Sequence, residues 1–158
     1  MNKKPIVLVG GGGHCRSVID VIEQEGSYEI AGILDPLEKK NSKVLGYPVL
    51  GDDSIISQLI VDGYSFHITL GLTGNAHRRN WRYQQIINLG GHLPIIISPN
   101  AYVSKHSKIG AGTIIMHNAQ VNAGVNIGVN CIINSKSLLE HDVNIGDHCH
   151  ISTGVIIN

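Results

Sequence analysis

Aromatic side chains are scarce in this sequence: one Trp, one Phe and five Tyr among 158 residues. A core without rings has to be filled by branched aliphatics. Charge is equally restrained, with 12 basic residues against 12 acidic ones. No positive excess is available for a nucleic-acid or polyanion footprint, so no nucleic-acid partner is expected. No run of about 18 apolar residues occurs, which excludes a membrane-spanning helix of ordinary length. Cysteines are few and unrelated in spacing (Cys15, Cys131 and Cys149), which suits a reducing compartment rather than a disulfide framework. Met1 to Pro5 leads straight into an apolar strand without a small-residue cleavage site. A cytoplasmic chain is expected.

What is present in abundance is periodicity. From Ile97 every sixth residue is a branched aliphatic: Val103, Ile109, Ile115, Val121 and so on without a slip to Ile157. The fifth position of each six is mostly small or β-branched, as at Ala101, Ser107, Thr113, Ala119 and Val125. A fixed period of six, rich in Gly and Asn, is the hexapeptide signature of a parallel β-helix. Each six supplies one short strand and one corner. Its first residue points inward as the large filler and its fifth as the smaller one. Asn and Gly suit the corners because they tolerate positive φ. Three sixes make a coil, so residues 18 apart should stack at strand spacing, about 4.8 Å. Cys131 and Cys149 then become stacked inward neighbours, not a disulfide or a metal pair. The chain ends at Asn158 within a repeat, and a solenoid needs a terminal cap, so further coils are expected beyond it.

The first part of the chain has a different rhythm. Pro5–Val9 reads as a buried strand, Cys15–Glu25 as a helix and Tyr28–Leu34 as a second strand. Val44–Leu50 reads as a short strand or turn pair, Ile55–Val61 as a helix opened by Asp52-Asp53-Ser54, Ser65–Leu70 as a strand and Asn75–Leu89 as a basic helix. Alternating strands and helices predict a small Rossmann-like parallel α/β unit over residues 1–95. The β-helix follows over 96–158.

Two places carry chemistry. The first is Gly10-Gly11-Gly12-Gly13-His14, between the first strand and helix. Backbone N–H groups and the positive end of a helix dipole make such a turn an anion cradle. The dinucleotide fingerprint fails, because the third glycine would fall at Cys15 or at Arg16. A nucleotide or its diphosphate is the better ligand, weighed against a plain tight turn. Asp35, at the end of the second strand, is placed for a ribose or base, although an Asp before Pro is also a common turn residue. Gly71, Thr73, Gly74 and Asn75 would complete the crevice. Arg78, Arg79, Trp81 and Arg82 share one helix and read as a solvated, partly packed face rather than a phosphate clamp. The second place is Asn134 through Asp142. His141 is the third residue of its six, at a corner, with Glu140 before it and Asp142 after it.

These residues, together with Ile33-Leu34-Asp35 and Ile145-Gly146-Asp147-His148-Cys149-His150-Ile151, resemble one family over the whole chain. It is the family of bacterial sugar acetyltransferases that contains the sialic acid O-acetyltransferases and the UDP-4-amino-sugar N-acetyltransferases of glycan biosynthesis. The resemblance implies a small nucleotide-binding α/β domain, a left-handed β-helix of hexapeptide repeats, acetyl-CoA as co-substrate, no metal, and a homotrimer with sites between neighbouring β-helices. It implies His141 as general base, Asp142 as the residue that orients it, Asn134 as an acceptor contact and His150 beside the thioester. Gly11, Gly12, Gly13, His14, Asp35 and Gly74 become the sugar-nucleotide residues.

The chemistry agrees. An amine or hydroxyl attacking a thioester must lose a proton, and imidazole, with an ordinary pKa of about 6.5, is matched to neutral pH. No cysteine nucleophile is needed: Cys131 and Cys149 point inward, and Cys15 is expected in the nucleotide loop. Transfer to the 4-amino group of a UDP-linked amino-dideoxy sugar leads, because the glycine loop suits a nucleotide-bearing acceptor. O-acetylation of a sialic or related nonulosonic acid is the alternative, and residues 138–158 read slightly more like that branch. A non-catalytic nucleotide-sugar-binding module is a second alternative. A zinc enzyme on the same fold would need three histidines meeting at one metal, and the spacing here does not provide them. Read from the residues alone, His14, His67, His77, His92, His106, His117 and His148 are structural or surface groups.

Overall fold

The computed structural model describes residues 3–37, 40, 42–71 and 76–158. The chain divides into two compact units, Met1–Pro94 and Ile95–Asn158.

The first unit is built on a sheet of order β3-β4-β2-β1-β5. Strands β1 (Lys4–Val9), β2 (Tyr28–Leu34), β4 (Tyr47–Gly51) and β5 (Ser65–Ile68) are parallel neighbours in the order β4-β2-β1-β5. The short strand β3 (Lys43–Val44) pairs antiparallel with β4, so the stretch read as a strand or turn pair is a hairpin at the sheet edge. Strand β1 is buried from Ile6 to Val9, as its unbroken apolar run requires of a strand covered on both faces. Helix α1 (Gly13–Glu25) lays Cys15, Val18, Ile19 and Ile22 on the sheet, the i, i+3, i+4, i+7 spacing of a core-facing stripe. Burying each such aliphatic contributes about 1.5–3 kcal/mol.

Several boundaries differ from the sequence reading. Helix α1 starts at Gly13 rather than Cys15, because Gly12 takes the extended cap conformation at φ −73°, ψ −167°. Cys15 is therefore not in the loop but on the first helical turn, fully buried. The helix expected at Ile55 opens instead with a 3₁₀ turn, Asp53–Ile55, and only then becomes α2 (Ile56–Val61). Asp52 caps that turn, its Oδ1 accepting from Ser54 N at 2.9 Å. Strand β5 stops at Ile68, and helix α3 runs from Ala76 to Asn88.

The second unit is a left-handed parallel β-helix. Its strands are pairs of residues, from β6 (Ile96–Ile97) through β9 (Ile114–Ile115), β12 (Ile132–Ile133), β13 (Leu138–Leu139) and β14 (Asn144–Ile145) to β16 (Ile156–Ile157). They stack in three sheets. Every rung joins residues 18 apart, as Val121 pairs with Leu139 and Ile127 with Ile145. The interior is the first and fifth residues of each six: Ile115, Val121, Ile133 and Leu139 with Ala119, Val125, Cys131 and Val143. From the third six onward positive φ falls at the fourth position, at Gly112, Asn118, Gly124, Asn130, Lys136, Asp142, His148 and Gly154. Corner chemistry is thus broader than Asn and Gly, since Lys136, Asp142 and His148 also hold the left-handed conformation. Cys131 is buried in this interior, and Cys149, 18 residues on, is half-buried and packs against it.

Candidate active site

The glycine turn at the end of β1 is held from below. Gly10 sits at φ +114°, and a Cβ there would lie 2.7 Å from Leu70 Cδ2, so only glycine fits. Its N–H donates to Leu34 O at 2.8 Å, and its carbonyl accepts from Thr69 Oγ1 at 2.5 Å. Gly11 N–H donates to Asp35 Oδ2 at 2.6 Å, while Asp35 Oδ1 accepts from Leu37 N at 2.8 Å. The Asp35 carboxylate therefore clamps the loop and closes its own turn. Above Gly12 and Gly13 the space is open: a Cβ at either would meet nothing within 4 Å. Gly13 and His14 form the first turn of α1, with His14 half-buried. Gly74, with Thr73 and Asn75, lies outside the described residues.

Beneath this turn is a buried polar floor that the sequence reading missed. Arg79, expected on a solvated face, is fully buried. Its guanidinium donates to Ile68 O at 2.5 Å and Leu70 O at 3.0 Å, fixing the chain as it leaves β5. His67 on β5 is also fully buried. Burial pushes its pKa well below the ordinary imidazole value, and the Arg79 charge and His14 push the same way, so it stays neutral. Cys15 is pushed up to about 11, chiefly by burial, and is an inert thiol at neutral pH. The available signal was the spacing of Arg79 from Tyr83 and Ile86, which are also buried; a basic run such as Arg78-Arg79 hides one inward member among outward ones. Arg82 forms an ion pair with Asp53 and stacks over Trp81, 4.4 Å from the ring centre.

On the β-helix, His141 and Asp142 occupy the corner between β13 and β14. Their side chains are 78 % and 81 % exposed. His141 Nδ1 lies 2.9 Å from Asp142 Oδ2. That hydrogen bond, and then the carboxylate's charge, raises the His141 pKa above the ordinary value. With Nδ1–H donated to the carboxylate, Nε2 is left as the acceptor of the ring. Glu140 is tied to the coil above, accepting from Asn122 Nδ2 at 2.9 Å.

Asn134 and His150 form a second pair. Asn134 Nδ2 lies 3.2 Å from His150 Nε2, and Asn134 Oδ1 accepts from Ser135 N at 2.8 Å. This pairing joins adjacent coils, because Ile132 pairs with His150 in the ladder. Asn134 opens the corner after β12, whereas His141 lies at the corner after β13. Each pair is thus assembled within the chain, but the two stand at different corners of the prism. Among the other histidines, His92, His117 and His148 each have Nδ1 within 3.1 Å of a side-chain partner: Ser65 Oγ, Ser98 Oγ and Asn130 Nδ2. Among the described residues no group of three or more His, Cys, Asp or Glu side chains is arranged to hold a metal ion.

The PglD N-terminal domain family matches residues 5–85. Among solved structures, a histidine-to-asparagine variant of perosamine N-acetyltransferase from Caulobacter crescentus, with CoA and GDP-perosamine, is 30% identical with a TM-score of 0.84. The match covers 96% of this chain and 73% of that one. The acetyltransferase domain of PglB from Neisseria gonorrhoeae, with acetyl coenzyme A, is 27% identical with a TM-score of 0.86, over 98% of this chain and 73% of that one. WeeI from Acinetobacter baumannii, 20% identical with a TM-score of 0.78 over 98% of this chain and 72% of that one, shares the fold. No curated protein matches the chain. With the family model matched over residues 5–85 and the fold shared along the whole chain, the chain belongs to the PglD N-terminal domain family of bacterial sugar acetyltransferases and is an acyltransferase.

Proposed function

We propose that the protein transfers the acetyl group of acetyl-CoA to the 4-amino group of a nucleotide-linked amino-dideoxy sugar, with His141 as general base. The observation that carries this reading is the His141–Asp142 pair, a solvent-facing imidazole whose Nδ1 is held at 2.9 Å by a carboxylate. Asp142 selects the tautomer in which Nε2 can accept a proton, the orienting role of the carboxylate in a Ser-His-Asp triad. As the amine nitrogen attacks the thioester carbonyl, the N–C bond forms and the C–S bond breaks. His141 Nε2 takes the proton that the nitrogen loses, and the departing sulfur is protonated in turn. Acetyl-CoA supplies the activated acyl group. The residues present suit it, because Nε2 is open to an incoming amine, and Asn134 with His150 offers an amide and an imidazole side by side.

The α/β unit supports a sugar nucleotide as acceptor. Its open, clamped glycine turn at a helix N-terminus suits a phosphate-bearing ligand. A UDP-linked sugar is our first reading. A GDP-linked sugar is the second, favoured by the GDP-perosamine bound to the Caulobacter crescentus enzymes. Placement of His141 and Asn134–His150 at different corners of one β-helix supports a threefold assembly, with one copy's His141 corner facing its neighbour's other pair.

The test measures CoA thiol release from acetyl-CoA with a UDP-4-amino-4,6-dideoxy-hexose, with GDP-perosamine and with a sialic acid, using wild type and His141→Ala. Release with an amino-sugar nucleotide, lost in the variant, establishes N-transfer and the base. Release with sialic acid alone moves the activity to O-acetylation. Turnover that survives in His141→Ala overturns the mechanism.

A further inference from the structure

We propose that Gly124 is a positioning residue for the transfer: the bare Cα at its corner is the seat that holds the Asp142 carboxylate against the His141 ring. This rests on the reading of His141 as the base.

The coil geometry places Gly124 directly above Asp142. Both are fourth residues of their sixes, 18 apart, and both have left-handed backbones, at φ +78° and +62°. Asp142 N–H donates to Ala123 O at 3.1 Å, which locks the two corners in register. A methyl group on Gly124 would overlap Asp142 Oδ1 and come within 3.2 Å of its Cγ. The other oxygen, Oδ2, is the one 2.9 Å from His141 Nδ1. One carboxylate is thus bounded by the imidazole on one side and by glycine on the other. Because the Asp142 side chain is 81 % exposed, a Cβ at Gly124 would turn it out into water at little cost to the fold. That rotation takes Oδ2 away from Nδ1 and frees the ring.

The charged surroundings are simple. Glu140, on the same corner run, is held by Asn122 Nδ2. The coil above contributes Ala123 and Gly124, neither of which titrates, and the coil above that carries Lys105 and His106 at the same two positions. Asp142 is therefore the carboxylate that Gly124 can move relative to His141.

A control exists in the α/β unit. Gly63 also has a left-handed backbone, at φ +85°, but a Cβ there would meet nothing within 4 Å. Alanine at either site carries a similar left-handed backbone penalty, and only at Gly124 does it strike Asp142. Asparagine at Gly124 eases the backbone penalty while keeping the Cβ.

The experiment is an NMR pH titration of the His141 ring, with steady-state kinetics, on the full chain carrying Gly124→Ala, Gly124→Asn, Gly63→Ala, Asp142→Asn or His141→Ala. Both Gly124 variants should lower the His141 titration midpoint toward that of Asp142→Asn. They should also lower kcat roughly tenfold, a part of what a positioned base supplies, with KM little changed. Gly63→Ala should leave both at wild-type values. An unchanged His141 titration in the Gly124 variants overturns the proposal, and so does an equal shift in Gly63→Ala. Turnover retained by His141→Ala, alongside a shifted titration in Gly124→Ala, overturns the base and leaves the seat standing.

Discussion

The two units hold their candidate groups in opposite ways. In the α/β unit the groups that shape the site are buried beneath it: Arg79 is fully buried, Thr69 is 1 % exposed, and both are bonded to backbone carbonyls. In the β-helix the reactive groups stand in water, with His141 78 % exposed. There order comes from the stack: each corner is clamped by the coil above, and the side chains inherit its register. A loop that must hold an unusual backbone needs internal bonds, because its glycines contribute no packing. A solenoid corner needs only its neighbours. Damage to the α/β floor should therefore cost stability, and damage at a β-helix corner should cost chemistry alone.

The largest test of that contrast is His141→Ala. Turnover should fall about 10²–10⁴-fold, the usual worth of a positioned base, while the thermal unfolding midpoint stays put. A large drop in the midpoint would break the comparison. Arg79→Met should do the reverse. It keeps the apolar stem but strands the carbonyls of Ile68 and Leu70, costing roughly 2–4 kcal/mol in chemical denaturation. Asp35→Asn should cost less, about 1–2 kcal/mol, because one of its two backbone partners loses an ionised acceptor. Sugar-nucleotide affinity, measured by calorimetry, should weaken with it.

A pH profile sharpens the comparison further. Asp142 raises the His141 pKa, and the base works as neutral imidazole, so kcat/KM should climb with pH through an inflection above the ordinary histidine value. Asp142→Asn should move that inflection down. His67 should contribute no inflection, since burial holds it neutral throughout. The smallest effect concerns the thiols. Half-buried Cys149 should be alkylated before Cys131 and Cys15, followed by mass spectrometry of the native protein, because those two are buried and their pKa values are raised.

Much of this was legible in the residues, and unevenly so. The hexapeptide period reports geometry directly: two inward positions per six, repeated without a slip, leave a single way to stack, so Val121 over Leu139 follows from counting. The roles of His141 and Asp142 came from the family resemblance and not from the residues alone, where an exposed corner histidine is usually inert; the structure adds their hydrogen bond. Tyr28–Leu34 could be delimited because its apolar run ends at Asp35-Pro36. The start of α1 could not, because glycine serves as loop, cap or helix with little preference. Arg79 was misread because a basic side chain is buried only when carbonyls lie waiting for it, and those belong to the end of β5 and the residues just after it, eleven and nine residues away.

The sequence by itself determined the repeat, its interior and the identity of the corner residues, because a one-dimensional solenoid makes spatial neighbours of residues at a fixed chain separation. Only the tertiary structure decided what meets across chain distances that no period encodes. It placed Asp35 against Gly11, Thr69 against Gly10, and Arg79 under the end of β5. It also set Gly124 over Asp142 closely enough that one hydrogen atom in place of a methyl group leaves room for the carboxylate. The physical reason is the range of the information. Period and pattern specify which way a side chain points, whereas the fit of two side chains depends on ångström-scale packing between segments that the chain brings together only when folded.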